Sequence, residues 1–307
     1  MRERAIGKEY IGSESRGWIF NLWLEMRPQQ WVKNLTVLAP LLFSQQLFNP
    51  SDVASAFGAF ALFCLLSSSI YVFNDICDRE QDRLHPQKRH RPIASGQLSV
   101  RIATRGLVVL ATLALTASAF IGSAFVFVLL GYVGLNVLYT PWLKHQVILD
   151  VFAVATGFVL RVVGGAVAIN VEISHWLLLC TSLLALFLGF SKRRHELLLL
   201  KEEAGAHREV LGEYDPQFLD MMIGIVTAAT VMSYALYTVS EETVAKFHTR
   251  GLLLTLPFVL YGIFRYLYLV YHKDLGGDPT QVLLTDRPLI VNTLLWALTA
   301  TVILYWH

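Results

Sequence analysis

The densest chemistry in the chain lies in one short run, Asn74-Asp75-Ile76-Cys77-Asp78-Arg79-Glu80-Gln81-Asp82-Arg83. Asp75, Asp78 and Asp82 are spaced i, i+3, i+7, and at about 100° per residue such positions share one face of a helix. Like charges on one face repel, so the face needs cations against it. Mg²⁺ takes carboxylates, waters and substrate phosphates as ligands, and this spacing suits a Mg²⁺-bound diphosphate. A solvated helix end neutralised by Arg79 and Arg83 would use the same letters. The run follows the apolar stretch SSSIYVF without a break. That puts Asn74 and Asp75 at a membrane edge, where ionisable groups are functional by default. Downstream, Lys88, Arg89 and Arg91 offer donors to phosphate oxygens, although cationic loops also follow from membrane topology alone.

Single residues outside this run have weaker claims. Arg161 stands about eleven residues inside an apolar stretch, where a central Arg costs about 2.5–3.5 kcal/mol. Asp150 lies eleven positions before it, which returns to within about 20° on an ideal helix but some 16 Å along the axis. The two share a face without pairing; Asp150 is a substrate or structural ligand, and Arg161 either faces a cavity or braces its neighbours. Tyr139 ends another apolar run and is either a phosphate or ribose contact or an interfacial anchor. Cys64, Cys77 and Cys180 form no CxxC pair, and His85, His90 and His195 lack metal-ligand spacing.

The elements that must position these residues are membrane helices. Of 307 residues, 55% are hydrophobic and only 16% charged, with a mean hydropathy of +0.51; soluble domains carry about 25% charged residues. A net charge of +2 argues against a nucleic-acid partner. Apolar runs fall at nine places, 32–48, 53–76, 102–120, 122–139, 147–169, 174–191, 219–239, 251–271 and 289–306. Pro40, Ser44, Gln45 and Gln46 interrupt the first, and the third and fourth meet at Ile121-Gly122-Ser123. With the N-terminus inside, nearly all of the 25 Lys and Arg residues fall on the inner side. Lys246 and Arg250 alone fall outside, and Arg161 within a span. The expected fold is therefore an all-α integral membrane protein of nine transmembrane helices, N-in and C-out. Residues 1–26 read as a cytosolic, partly amphipathic segment too polar for a signal peptide, and 27–307 as one catalytic domain. The large polar segments, 77–101 and 192–217, share the inner side. That favours chemistry on cytosolic small molecules over a carrier or channel, which would need charges in several spans and access to both faces.

Asn74-Asp-x-x-Asp78-x-x-x-Asp82 followed by Lys88-Arg89-x-Arg91-Pro92-Ile93 resembles the first Asp-rich motif of the UbiA superfamily. The resemblance implies nine helices around a central cavity and a Mg²⁺-dependent transfer within the membrane. Most members move a prenyl group from a prenyl diphosphate to an aromatic acceptor and carry a second acidic motif, usually DxxxD. Here that position reads Ser191-Lys192-Arg193-Arg194-His195-Glu196. Arg27-Pro28-x-x-Trp31-Val-Lys33-Asn34, Tyr139-Thr-Pro-Trp-Leu-Lys144 and Asp286-Arg287-Pro288 look like the decaprenyl-phosphate phosphoribosyltransferase branch. That branch joins 5-phosphoribosyl diphosphate (PRPP) to a polyprenyl phosphate for cell-envelope biosynthesis. The resemblance implies Asp75, Asp78 and Asp82 as catalytic, metal-binding carboxylates, with Asn74, Lys88, Arg89, Arg91 and Tyr139 on PRPP. An anionic lipid phosphate needs cations, for which Lys33, Lys144, Lys192 and Arg193 stand at headgroup depth; Asn34, Asp150, Arg161 and Glu196 are further candidates. The expected setting is the inner cell membrane, with the site open to the cytoplasm and the bilayer as partner. A homo-oligomer is compatible with everything in the sequence.

Overall fold

The computed structural model describes residues 17–86, 88–200, 209–273 and 275–306. Every regular element among them is helical. In chain order these are α1 Trp18–Glu25, a 3-10 helix Pro28–Leu38 running into α2 Ala39–Phe43, α3 Pro50–Cys77, α4 Arg79–Leu84, α5 Val100–Ser118 and α6 Ser123–Tyr139. Then come α7 Leu149–Ala168, α8 His175–Leu200, α9 Glu209–Gly212, α10 Pro216–Val239, α11 Glu241–Phe247, α12 Leu256–His272, α13 Pro279–Thr285 and α14 Arg287–Tyr305. Seven segments are long and apolar enough to cross a membrane: α3, α5, α7, α8, α10, α12 with the 3-10 turn before it, and α14. α6 is apolar but only 17 residues long.

The expected first span is not a regular α-helix. Its 11-residue 3-10 stretch is far longer than such runs usually are. Tertiary contacts hold it, wedged between α3 and α7. Trp31 Nε1–H donates to Ser68 Oγ at 3.0 Å, and Asn34 Nδ2 donates to Ser67 Oγ at 3.1 Å. Gly165 on α7 permits the approach, because a Cβ there would stand 1.9 Å from the Val37 carbonyl oxygen. Gly164 plays the same part against the ring of Phe63, at 2.5 Å.

Helix starts follow local sequence chemistry. Asn49 caps α3 through the Ser51 N–H, Asp215 caps α10 through Phe218, and Asp286 caps α14 through Leu289. Pro at the first or second helical position costs nothing there, since its missing N–H would have been unpaired. α3 and α7 are the inner helices, with 61% and 50% of their apolar windows buried, against 11% for α5. One apolar core packs α7, α8, α10 and α12 together, and a second packs α3, α5, α6 and α7. A groove of about 730 Å³ opens between α10 and α12, away from the carboxylates.

Candidate active site

The carboxylate face is broken where the sequence expects it to be continuous. α3 ends at Cys77, Asp78 leaves helical geometry at φ −91°, ψ 6°, and α4 restarts at Arg79. Asp75 and Asp82 come together on one guanidinium. Arg91 Nη1 lies 3.0 Å from Asp75 Oδ1 and 2.6 Å from Asp82 Oδ2. Arg27 closes on both oxygens of Asp75, and Lys88 Nζ lies 3.9 Å from Asp82. Asp78 turns elsewhere and accepts from Lys144 Nζ at 2.6 Å. Asn74 Oδ1 accepts from Thr140 Oγ1 at 2.5 Å, which ties the motif to the end of α6. Burial pushes the Asp82 carboxyl above its ordinary range, while Arg91 and Lys88 pull it back down.

Several of the candidate residues are engaged within the protein itself in this structure. Lys144, expected on the lipid phosphate, is the partner of Asp78. Arg89 is exposed and donates to His90 at 3.3 Å, so it takes no part in the carboxylate cluster. Arg193 is only 3% exposed and spends its charge on Asp150 at 2.7 Å and on Glu196. Asp150 is wholly buried and accepts from the Tyr214 hydroxyl at 2.8 Å, which makes it a structural ligand. Arg161 takes the bracing role. It donates to Asn34 Oδ1, Tyr132 Oη and the Gly157 carbonyl at 2.7, 2.7 and 2.8 Å, joining the 3-10 segment to α6 and α7.

Lys33 and Lys192 share part of their electrostatic surroundings. The charged and ionisable neighbours of Lys33 are Asp278, Arg161, Arg27 and Tyr139. Those of Lys192 are Glu196, Arg193, Lys33 and Tyr139. Lys33, Lys192 and Tyr139, from three distant stretches of chain, thus lie within electrostatic reach of one another. Lys192 also lies 3.6 Å from Glu196. The start of α13 docks on the 3-10 segment: Gln30 Nε2 donates to Asp278 Oδ2, and Thr280 Oγ1 to Gln30 Oε1, both at 3.1 Å.

Two residues at this site were absent from the sequence-derived set. Arg27 was noted within a motif without a role, and Glu25 was not singled out. Burial, and contact with Asp75, push the Glu25 carboxyl up to about 8; its Oε1 accepts the Ile93 N–H at 2.7 Å. The signal for Glu25 was a lone acid in the apolar segment WIFNLWLEM. Glu25 and Arg27, on either side of residue 26, reach the same carboxylate.

Hard carboxylate oxygens already gathered around one cationic nitrogen fit a divalent ion. Asp75 and Asp82 would supply protein oxygens, and Arg91 would be free to turn to a phosphate. Among the described residues no group of three His, Cys, Asp or Glu side chains is placed to hold a metal ion; further ligands would be substrate phosphates and water, as Mg²⁺ prefers.

A helical membrane protein with a carboxylate and cation cluster at one end of its bundle is the class this arrangement defines. The chain belongs to the UbiA prenyltransferase family, whose sequence profile matches residues 35–285. It is 36% identical over 286 residues to the decaprenyl-phosphate phosphoribosyltransferase of Corynebacterium glutamicum, covering 91% of this chain and 85% of that one. The enzyme of the same description from Mycolicibacterium smegmatis is 33% identical over 292 residues, covering 92% and 91%. A UbiA homolog from Archaeoglobus fulgidus, solved bound to GPP and Mg²⁺, matches with a TM-score of 0.71 at 19% identity. That match covers 92% of this chain and 99% of the other, and establishes the shared fold.

Proposed function

We propose that this chain transfers the 5-phosphoribosyl group of PRPP to a polyprenyl phosphate, releasing diphosphate. One observation carries the choice within the family. Where a second acidic motif would serve a prenyl diphosphate, α8 carries Lys192-Arg193-Arg194; Arg193 and Arg194 are held by Asp150, Glu196 and Asp220, and Lys192, with Lys33 among its neighbours, suits an anionic acceptor. The relatives' activity supports the same reading.

PRPP enters beside Asp75, Asp78 and Asp82, with Asn74 and Tyr139 toward the ribose. Lys88, Arg91 and Arg27 are released from carboxylates onto phosphate oxygens, and Lys144 stays within reach of the diphosphate from Asp78. A bound Mg²⁺, held by Asp75 and Asp82, would neutralise charge building on the leaving diphosphate. Lys33 and Lys192 hold the lipid phosphate. A phosphate monoester loses its second proton near pH ~6, so the acceptor oxygen needs no strong base. It attacks ribose C1, the bond from C1 to the diphosphate oxygen breaks, and the electron pair leaves with diphosphate. Fixed cations around that oxygen stabilise the transition state without reorganising. The site faces the cytoplasm, where PRPP is soluble, and the polyprenyl tail lies in the surrounding bilayer.

The test is a transfer assay in proteoliposomes with radiolabelled PRPP and decaprenyl or undecaprenyl phosphate. Label is expected in the lipid fraction, dependent on both the lipid phosphate and Mg²⁺. Prenylation of an aromatic acid from a prenyl diphosphate, with PRPP ignored, would overturn the reading.

A further inference from the structure

Helix α1 is built the wrong way round for a water-facing surface. Its polar side chains turn inward: Asn21 is 4% and Glu25 1% exposed. Asn21 Nδ2 donates to the Gln97 carbonyl at 3.1 Å, and Glu25 accepts from Ile93. Its large apolar side chains turn outward, with Trp18, Ile19, Phe20, Trp23 and Leu24 between 40% and 66% exposed. At about 100° per residue, Ile19, Phe20, Trp23 and Leu24 form one arc opposite Asn21, Leu22 and Glu25. A single exposed Leu needs no explanation, but five large apolar side chains on two turns do.

The surroundings name the occupant. Leu22 packs on α5 at Gly106, where a Cβ would meet its methyl carbons at 2.9 Å. Val108 and Val109, two and three residues further along α5, are exposed on the outer surface of that apolar span. The apolar arc of α1 thus continues the hydrophobic belt. Its level fits as well, because α1 ends beside Asp75 in the last turn of α3, where a membrane helix meets the headgroups. Trp is enriched at that depth.

We propose that α1 lies in the plane of the bilayer surface, with its outward arc sunk at the boundary of headgroups and acyl chains, and that this seat holds Arg27 against Asp75. The first half rests on geometry alone. The second rests on the donor-site reading given above.

The experiment uses the full chain in nanodiscs of lipids brominated on the acyl chain. The chain has seven Trp residues, so wild type is compared with a Trp18→Phe, Trp23→Phe variant and the difference emission isolates α1. That emission is expected to be quenched by brominated lipid and shielded from aqueous iodide. Quenching by iodide and not by lipid overturns the proposal. Shielding that vanishes when each disc holds one chain assigns the face to a second copy, and shielding that vanishes on removing residues 1–16 assigns it to that segment; either result also overturns it. An Ile19→Asp, Leu24→Asp variant, which alters only outward positions, is expected to lose the lipid quenching and to bind PRPP more weakly, with its thermal stability in detergent unchanged. Unchanged PRPP binding after lost quenching overturns the coupling to Arg27. A quenched wild type that turns over no PRPP would sink the donor-site reading and leave the membrane seat standing.

Discussion

Glu25 is an acid in a place that favours its proton. Burial and the neighbouring Asp75 carboxylate raise it from an ordinary 4.5 to about 8, and the Ile93 N–H and Arg27 only partly oppose them. The folded chain therefore holds a proton that the unfolded chain releases above 4.5. Stability from this group is complete below that pH and is lost as pH rises through about 8. Glu25→Gln keeps an acceptor for Ile93 and a donor toward Asp75 but cannot ionise. The variant is expected to match wild type near pH ~5 and to be more stable than wild type near pH ~9, with a flatter profile between. Thermal unfolding in detergent across that range checks it; an unchanged slope would remove Glu25 from the pairing with Asp75. Asp75 and Asp82 were legible because their spacing survives the break at Asp78. Glu25 and Arg27 were not, because their roles depend on a contact across 48 or more residues of chain, which no local pattern encodes.

At the scale of elements, the first span shows where periodicity stops informing. An apolar run with Pro40 and three polar residues at its end reads as a marginal helix. Its actual 3-10 winding is set by what it must touch on α3 and α7, namely Ser67, Ser68 and Arg161. Gly164, Gly165 and Ala166 form a run of small residues of the kind that permits close helix packing, and Gly165 supplies it. A Gly165→Ala methyl would collide with backbone rather than a movable side chain. The expected cost is about 1–3 kcal/mol or more, as for overpacked cores, read as lower thermal stability together with misplacement of Lys33. The end of α8 separates two kinds of cation. Arg193→Ala would leave Asp150 buried without its counter-charge, a loss of about 3–5 kcal/mol that falls on folding and on both substrates alike. Lys192→Ala should fold normally. A charge-assisted hydrogen bond contributes about 1.5–3 kcal/mol, so its KM for the lipid phosphate should rise roughly tenfold or more at 1.4 kcal/mol per decade. Equal loss of lipid phosphate affinity in both variants, with Arg193→Ala fully stable, would return Arg193 to the binding site.

Across the whole molecule, the membrane itself made the gross plan readable. Hydrocarbon forces backbone into helices and charges to the ends, so span positions and the one-sided charge could be taken from composition. Which cation answers which carboxylate could not, because Lys144 and Arg193 look alike as span-end charges and differ only in what the fold sets opposite them. The resulting site has two parts. The carboxylates come from the end of α3 and from α4, with Lys88 and Arg91 from the loop that follows, Arg27 from the turn after α1 and Lys144 from the turn after α6. Lys33 and Lys192 come from the 3-10 segment and α8, each with Tyr139 among its electrostatic neighbours. In the proposed function the divalent ion belongs to the first part alone, so removing it should separate the two substrates. With Mg²⁺ chelated, or in an Asp75→Asn, Asp82→Asn variant, turnover should fall by orders of magnitude and PRPP binding should weaken sharply. Binding of the polyprenyl phosphate should stay within about twofold, a difference of some 0.4 kcal/mol. Equilibrium binding of each substrate, measured with and without the metal, decides the matter. If chelation releases the lipid phosphate as readily as PRPP, the metal bridges both substrates and the division between the two parts of the site is wrong.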